Sequence, residues 1–187
     1  NPASVSGITT ATRISISPGG WHSCAVLTDK SVKCWGDNGD GQLGDGTTID
    51  SSTPVSVSGI STAVSIALCG FNGIDWHSCA VLTDKSVKCW GGNSKGQLGD
   101  GTNNDSPVPV SVTGISTASS IALGGHSCAQ LTDGIVKCWG WNGYGQLGVD
   151  FYDVSESSTP VEVSGLILAF APPPSPPTPP SLPSPPP

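Results

Sequence analysis

Charge is scarce in this chain. Only 11% of its 187 residues are charged, and seven Lys and Arg stand against fourteen Asp and Glu, for a net charge of −7. A nucleic-acid binder carries a basic patch. Here the bases are scattered, mostly at hairpins (Lys30, Lys33, Lys85, Lys88, Lys137), and read as solvated edges that discourage strand pairing. Nucleic acid is therefore not an expected partner. No run of 18 apolar residues occurs, so no segment reads as a membrane span. No window has a 3.6-residue apolar period, which argues against helices. No signal peptide stands at Asn1, so the chain reads as a mature form or as one that starts late.

One segment is repeated three times. It reads HSCAVLTDKSVKCWGDNGDGQLGDGT from His22, HSCAVLTDKSVKCWGGNSKGQLGDGT from His77 and HSCAQLTDGIVKCWGWNGYGQLGVD from His126. A period of about 50 residues marks a repeat architecture. Between the copies lie PVSVSGISTAVSIALCG from Pro54 and PVSVTGISTASSIALGG from Pro109, and TPVEVSGL begins at Thr159. The chain thus divides into repeats over 2–53, 54–106 and 107–159, the start of a fourth at 160, and a different material over 171–187. Each repeat offers four short strands (for example Val55–Val57, Ser65–Leu68, Cys24–Leu27, Ser31–Trp35) separated by Ser, Thr, Gly, Asn and Pro. The expected fold is all-β: a partial propeller of about three four-stranded blades, with a C-terminal polyproline II tail.

The hairpin register follows from its loop. With Thr28-Asp29-Lys30 as a three-residue loop, the third position is left-handed and favours glycine, and the third repeat has Gly134 there. The loop sets Val26 opposite Val32 and Cys24 opposite Cys34 at a non-hydrogen-bonded pair. There the Cα atoms approach to about 4.5 Å, within the reach of a disulfide. The same count pairs Cys79 with Cys89 and Cys128 with Cys138. A zinc site fits poorly, because C-x9-C lacks a second close pair. Six paired cysteines point to an oxidising compartment, hence an extracellular location. Cys69 is left over, unpaired or intermolecular, and Phe71–Asp75 behind it is an insertion found only in the second repeat.

The stretch Cys34-Trp35-Gly36, Asn38 and Gly41-Gln42-Leu43-Gly44, with its copies at Trp90-Gly91, Asn93, Gly96–Thr102 and Trp139-Gly140, Asn142, Gly145–Gly148, resembles the repeat of the regulator of chromosome condensation family. The resemblance covers about residues 2–166. It implies a β-propeller, typically of seven blades, whose members act as exchange factors and inhibitors through their surfaces. Two departures stand out: only three repeats, and paired cysteines.

The tail is PPPSPPTPPSLPSPPP, eleven prolines in sixteen residues. Such a segment adopts polyproline II at about 3.1 Å per residue, a rod of about 50 Å. It resembles the hydroxyproline-rich rods of algal and plant wall glycoproteins, including the pherophorins. That resemblance implies hydroxylation and O-linked sugars at Pro172, Pro173, Pro174, Ser175, Pro176, Pro177, Thr178, Pro179, Pro180, Ser181, Pro183, Ser184, Pro185, Pro186 and Pro187. Asn104 heads the chain's only N-glycosylation sequon, with Pro107 directly behind it.

Residues that recur once per repeat are read as structural. His22, His77 and His126 read as packed strand-end residues, and their neighbours Ser23, Ser78 and Ser127 offer no unique triad. Asp37-Asn38-Gly39-Asp40-Gly41 suggests a calcium loop but lacks the late bidentate glutamate. Trp35, Trp90 and Trp139 read as fillers between blades; Trp21, Trp76, Trp141 and Tyr144 are less regular and read first as plain packing, with surface stacking on sugars or a neighbouring chain as the alternative. The sequence therefore yields no catalytic residue, metal site or cofactor. It points to a secreted structural glycoprotein that carries covalent glycans and self-associates into a cell-surface, cell-wall or fibrous structure. The alternatives are a secreted binding module and, last, a propeller enzyme.

Overall fold

The computed structural model describes residues 4–70, 76–150 and 152–167, with side chains to 163. The insertion 71–75 and the proline segment, with its hydroxylation and glycosylation positions, lie outside the described residues.

Twelve strands form three antiparallel sheets, and no helix occurs among the described residues. The first sheet holds β1 (Ala11–Ile16), β2 (His22–Leu27), β3 (Val32–Gly36) and β4 (Ser51–Ser56) in that order. The second holds β5 (Ala63–Leu68), β6 (His77–Leu82), β7 (Val87–Gly91) and β8 (Ser106–Ser111). The third holds β9 (Ala118–Leu123), β10 (His126–Leu131), β11 (Ile135–Trp141) and β12 (Glu156–Ile167). The first strands lie together, β5 beside both β1 and β9, as the inner strands of adjacent propeller blades do.

The central hairpins adopt the register their loops dictate. Cys24 faces Cys34, Ala25 faces Lys33 and Val26 faces Val32, with the same pattern in the other blades. The third loop position is left-handed in all three: φ is 66° at Lys30, 66° at Lys85 and 91° at Gly134. Asp29 Oδ1 closes the turn by accepting from the Ser31 N–H and hydroxyl. Disulfides join Cys24–Cys34, Cys79–Cys89 and Cys128–Cys138, each with Cα atoms 4.1 Å apart.

Blade boundaries fall one strand later than the sequence repeat. The Pro-Val strand comes first in each sequence repeat. It is instead the fourth strand of the preceding sheet: Val55 pairs with Cys34, Val110 with Cys89 and Val161 with Cys138. The segment from 160 therefore completes the third blade and does not begin a fourth. The physical cause is a buried asparagine that folds the long β3–β4 loop back. Asn38 Nδ2 donates to the Thr47 and Ile49 carbonyls while Oδ1 accepts from the Leu43 N–H. Asn93 makes the equivalent bonds to Thr102, Asn104 and Leu98.

The core lies in two seams between sheets. One face of each sheet, carrying the disulfide, packs on the opposite face of the next. The first seam sets Cys24, Val26, Val32 and Cys34 against Ala80, Leu82 and Trp90. The second sets Cys79, Val81, Val87 and Cys89 against Ala129, Leu131 and Trp139. Burying a side chain of this size contributes about 1.5–3 kcal/mol each, so the seams bind the blades into one body.

Candidate functional site at the blade seams

Each seam contains one polar chain, built from the histidines, serines and tryptophans that recur in the sequence. His22 Nε2 lies 3.0 Å from Ser78 Oγ of the next blade. The Ser78 hydroxyl donates to the Gln42 carbonyl at 2.9 Å, and Trp90 Nε1 donates to the same carbonyl at 2.9 Å. The second seam repeats this with His77 and Ser127 at 2.8 Å, Ser127 to the Gln97 carbonyl at 2.9 Å, and Trp139 Nε1 to that carbonyl at 2.8 Å. One carbonyl thus accepts two donors and uses both lone pairs.

The direction of these bonds decides the chemistry. The Ser78 proton goes to the Gln42 carbonyl, so the hydroxyl oxygen accepts from His22. His22 is therefore neutral, with its proton on Nε2 and a bare Nδ1 that is buried without a partner. Burial first, and the nearby His77 second, lower the His22 pKa to about 4. A nucleophilic serine needs an imidazole that takes its proton; this imidazole gives one. The pair works as a latch between blades. His126 in the third blade is half-buried, and burial also lowers its pKa.

The Gly-Gln-Leu-Gly loops bring the accepting carbonyl to the seam. Gln42 Oε1 accepts from the Asp40 N–H, and its Nε2 donates to Asp37. Gly44 has φ 73°, and a Cβ there would lie 2.6 Å from Trp90 Nε1, so the neighbouring tryptophan requires glycine. The acids of the supposed calcium loop have internal partners: Asp37 with Gln42, and Asp40 with the Trp76 N–H at 3.0 Å. Burial, then the charge of Asp50, raises the Asp37 pKa. Among the described residues no three His, Cys, Asp or Glu gather as a metal site.

Trp90 and Trp139 are fully buried in the seams, whereas Trp35 is half-buried, with no blade against its face among the described residues. Trp21 is 54% exposed and stacks on Trp76 with centroids 5.0 Å apart. Trp141 meets Tyr144 edge-on at 5.3 Å. Asn104 is exposed, while its sequon partner Ser106 donates its hydroxyl to the Val108 carbonyl. Cys69 is unpaired and buried, and burial pushes its pKa up to about 11. Of the two alternatives its odd count left open, unpaired or intermolecular, this chain by itself shows the unpaired one. Sequence reasoning missed the part played by the Gln42 and Gln97 main chain. The threefold Gly-Gln-Leu-Gly was the available signal, but nothing in it distinguishes carbonyl from side chain.

Four-stranded antiparallel sheets joined face to face by such seams define a β-propeller segment. The family model described as "Regulator of chromosome condensation (RCC1) repeat" matches residues 14–42, 75–97 and 124–146, and a second of the same description matches 31–81. Together they take in more than half of the chain, which belongs to the RCC1 repeat family. Human Protein RCC2 is 37% identical over 93 residues, 49% of this chain and 17% of that protein. The Ultraviolet-B receptor UVR8 of Arabidopsis thaliana is 33% identical over 100 residues, 52% of this chain and 22% of the receptor. The chain thus spans about a fifth of the length of these relatives. Yeast RCC1 (Prp20) bound to Kap60 superposes with a TM-score of 0.69 at 21% identity, over 84% of this chain and 37% of that one. A further structure of Prp20p from Saccharomyces cerevisiae gives 0.70 at 21% identity, over 84% and 39%. At that identity the likeness establishes the fold.

Proposed function

We propose that this chain is the propeller portion of an extracellular structural glycoprotein, non-catalytic, that self-associates through its repeats. The observation that carries the reading is one disulfide in every blade, joining the middle strands where a reducing compartment would leave thiols. The inward-turned His–Ser latches support a scaffold over a hydrolase, since they spend their hydrogen bonds on joining blades. The low charge and the net −7 favour neither nucleic acid nor an anionic surface as partner. The composition of the proline segment suits hydroxylation and O-linked sugars. The intact mass of the native protein, with and without reduction and deglycosylation, tests the reading. Three disulfides plus a ladder of sugar masses on the 172–187 peptide support it; an unmodified peptide with six free thiols overturns it.

A second reading, a binding module, rests on the Trp21–Trp76 stack and on Tyr144, which is 83% exposed. Exposed rings of this kind suit stacking on a sugar or a protein partner. Loss of glycan-array binding on Trp21→Ala would favour it.

A further inference from the structure

The asparagine that folds the β3–β4 loop back stands directly before a glycine. The chain holds three Asn-Gly pairs, at 38–39, 72–73 and 142–143, and the second blade has Asn93-Ser94 in the matching place. The pair at 72–73 lies outside the described residues. Where glycine follows asparagine, no Cβ hinders the glycine nitrogen from reaching the side-chain carbonyl. Cyclisation with loss of ammonia is then fast in an open chain.

The closed blades block that reaction. Asn38 and Asn142 are both 0% exposed. Asn38 Nδ2 donates to the Thr47 and Ile49 carbonyls, each at 3.1 Å, and Oδ1 accepts from the Leu43 N–H at 2.9 Å. Asn142 Nδ2 donates to the Val154 carbonyl at 2.6 Å, and its Oδ1 accepts from the Leu147 N–H at 2.9 Å. Each amide is tied across its loop at both ends, so it swings onto the following nitrogen only when the loop opens. Glycine is not demanded at 39 by the fold. Gly39 has no positive φ, a Cβ there would meet no atom within 4 Å, and the second blade carries Ser94 in its place. At Gly143, by contrast, a Cβ would lie 2.6 Å from the Trp141 ring.

We propose that Asn38 and Asn142 are deamidation sites which the closed blade keeps silent and loop opening releases, and that their conversion prevents the blade from closing again. The Gly39 nitrogen attacks Asn38 Cγ. A new N–C bond forms, the Cγ–Nδ2 bond breaks, and ammonia leaves with the Gly39 proton. Water opens the succinimide at either carbonyl, leaving aspartate or isoaspartate. The ionised product has acceptors only, where Nδ2 had donated to Thr47 and Ile49. Buried acceptors would face acceptors around an unpaired charge, which opposes the return of β4 to β3. The same steps at Asn142 and Gly143 release β12 from β11. The second blade, with serine after Asn93, converts more slowly.

Peptide mapping by mass spectrometry tests this on the full chain with its disulfides intact, held at pH 8 with and without guanidinium chloride. In denaturant Asn38 and Asn142 are expected to convert while Asn93 lags. Without denaturant both should convert more slowly by about a hundredfold or more, because reaction waits on rare loop opening. Gly39→Ser should keep the wild-type denaturant midpoint and slow Asn38 to the pace of Asn93, with Asn142 unchanged. Asn38→Asp, which carries the product carboxylate from the start, should unfold at a clearly lower midpoint. Equal rates at Asn38 with and without denaturant overturn the proposal. So does Gly39→Ser with a lowered midpoint or an undiminished rate at Asn38, or Asn38→Asp with the wild-type midpoint.

Discussion

The imidazole of His22 donates to the hydroxyl of Ser78 across the first seam at 3.0 Å. The two residues are 56 apart in sequence and belong to different blades. The bond makes a histidine–serine pair into a fastener, because the serine proton is held by the Gln42 carbonyl.

Acid should open the seams. His22 has a folded pKa of about 4 against 6.5 for the free side chain. Below pH 6.5 the unfolded chain binds a proton that the folded chain refuses, so stability is complete above 6.5 and falls as pH drops towards 4. The total from this group is about 3 kcal/mol. Urea midpoints at pH 7.5 and pH 4.5 measure it. His22→Gln should flatten the difference; an unchanged slope contradicts the assignment.

Ser78→Ala should destabilise by about 1–3 kcal/mol, since it leaves the His22 N–H buried without its acceptor. Ser23→Ala makes the same change where no blade lies across it among the described residues, and should be near neutral in this chain. Denaturant titration of the two variants side by side decides the point.

Trp90→Ala should cost about 3–5 kcal/mol through its seam cavity. Trp35→Ala, in the same repeat position but half-buried, should cost much less. Equal losses from thermal unfolding would contradict the seam assignment.

Under native conditions at pH 8 a thiol reagent should find no reactive cysteine, and after denaturation without reductant it should find one. Cys69 is buried with its pKa pushed up to about 11, and the thiolate is the reactive form. Breaking one hairpin disulfide by Cys79→Ala with Cys89→Ala should lower stability by about 2–4 kcal/mol, with a lower denaturant midpoint as the readout.

The hairpins were legible because their determinants are local. The loop of three residues, its left-handed third position at Lys30 and Gly134, and the alternation along each strand together set Cys24 against Cys34 before any tertiary contact. The blade boundaries were not legible. The strand at Val55 is separated from β3 by a long polar loop, and only the buried Asn38, bonded to Thr47 and Ile49, brings it back onto that sheet. Asn38 stood in the repeat motif without a stated role, since a side chain's partners nine and eleven residues away leave no periodic trace.

The amino-acid order alone determined the all-β repeat, the RCC1 resemblance and the disulfide pairing, because each depends on neighbours in sequence or on composition. Only the tertiary structure decided which histidines are buried, that Ser78 gives its proton to a main-chain carbonyl, and that Trp35 lacks the cover Trp90 has. Identical repeats print identical residues, whereas burial depends on whether another blade lies across the seam.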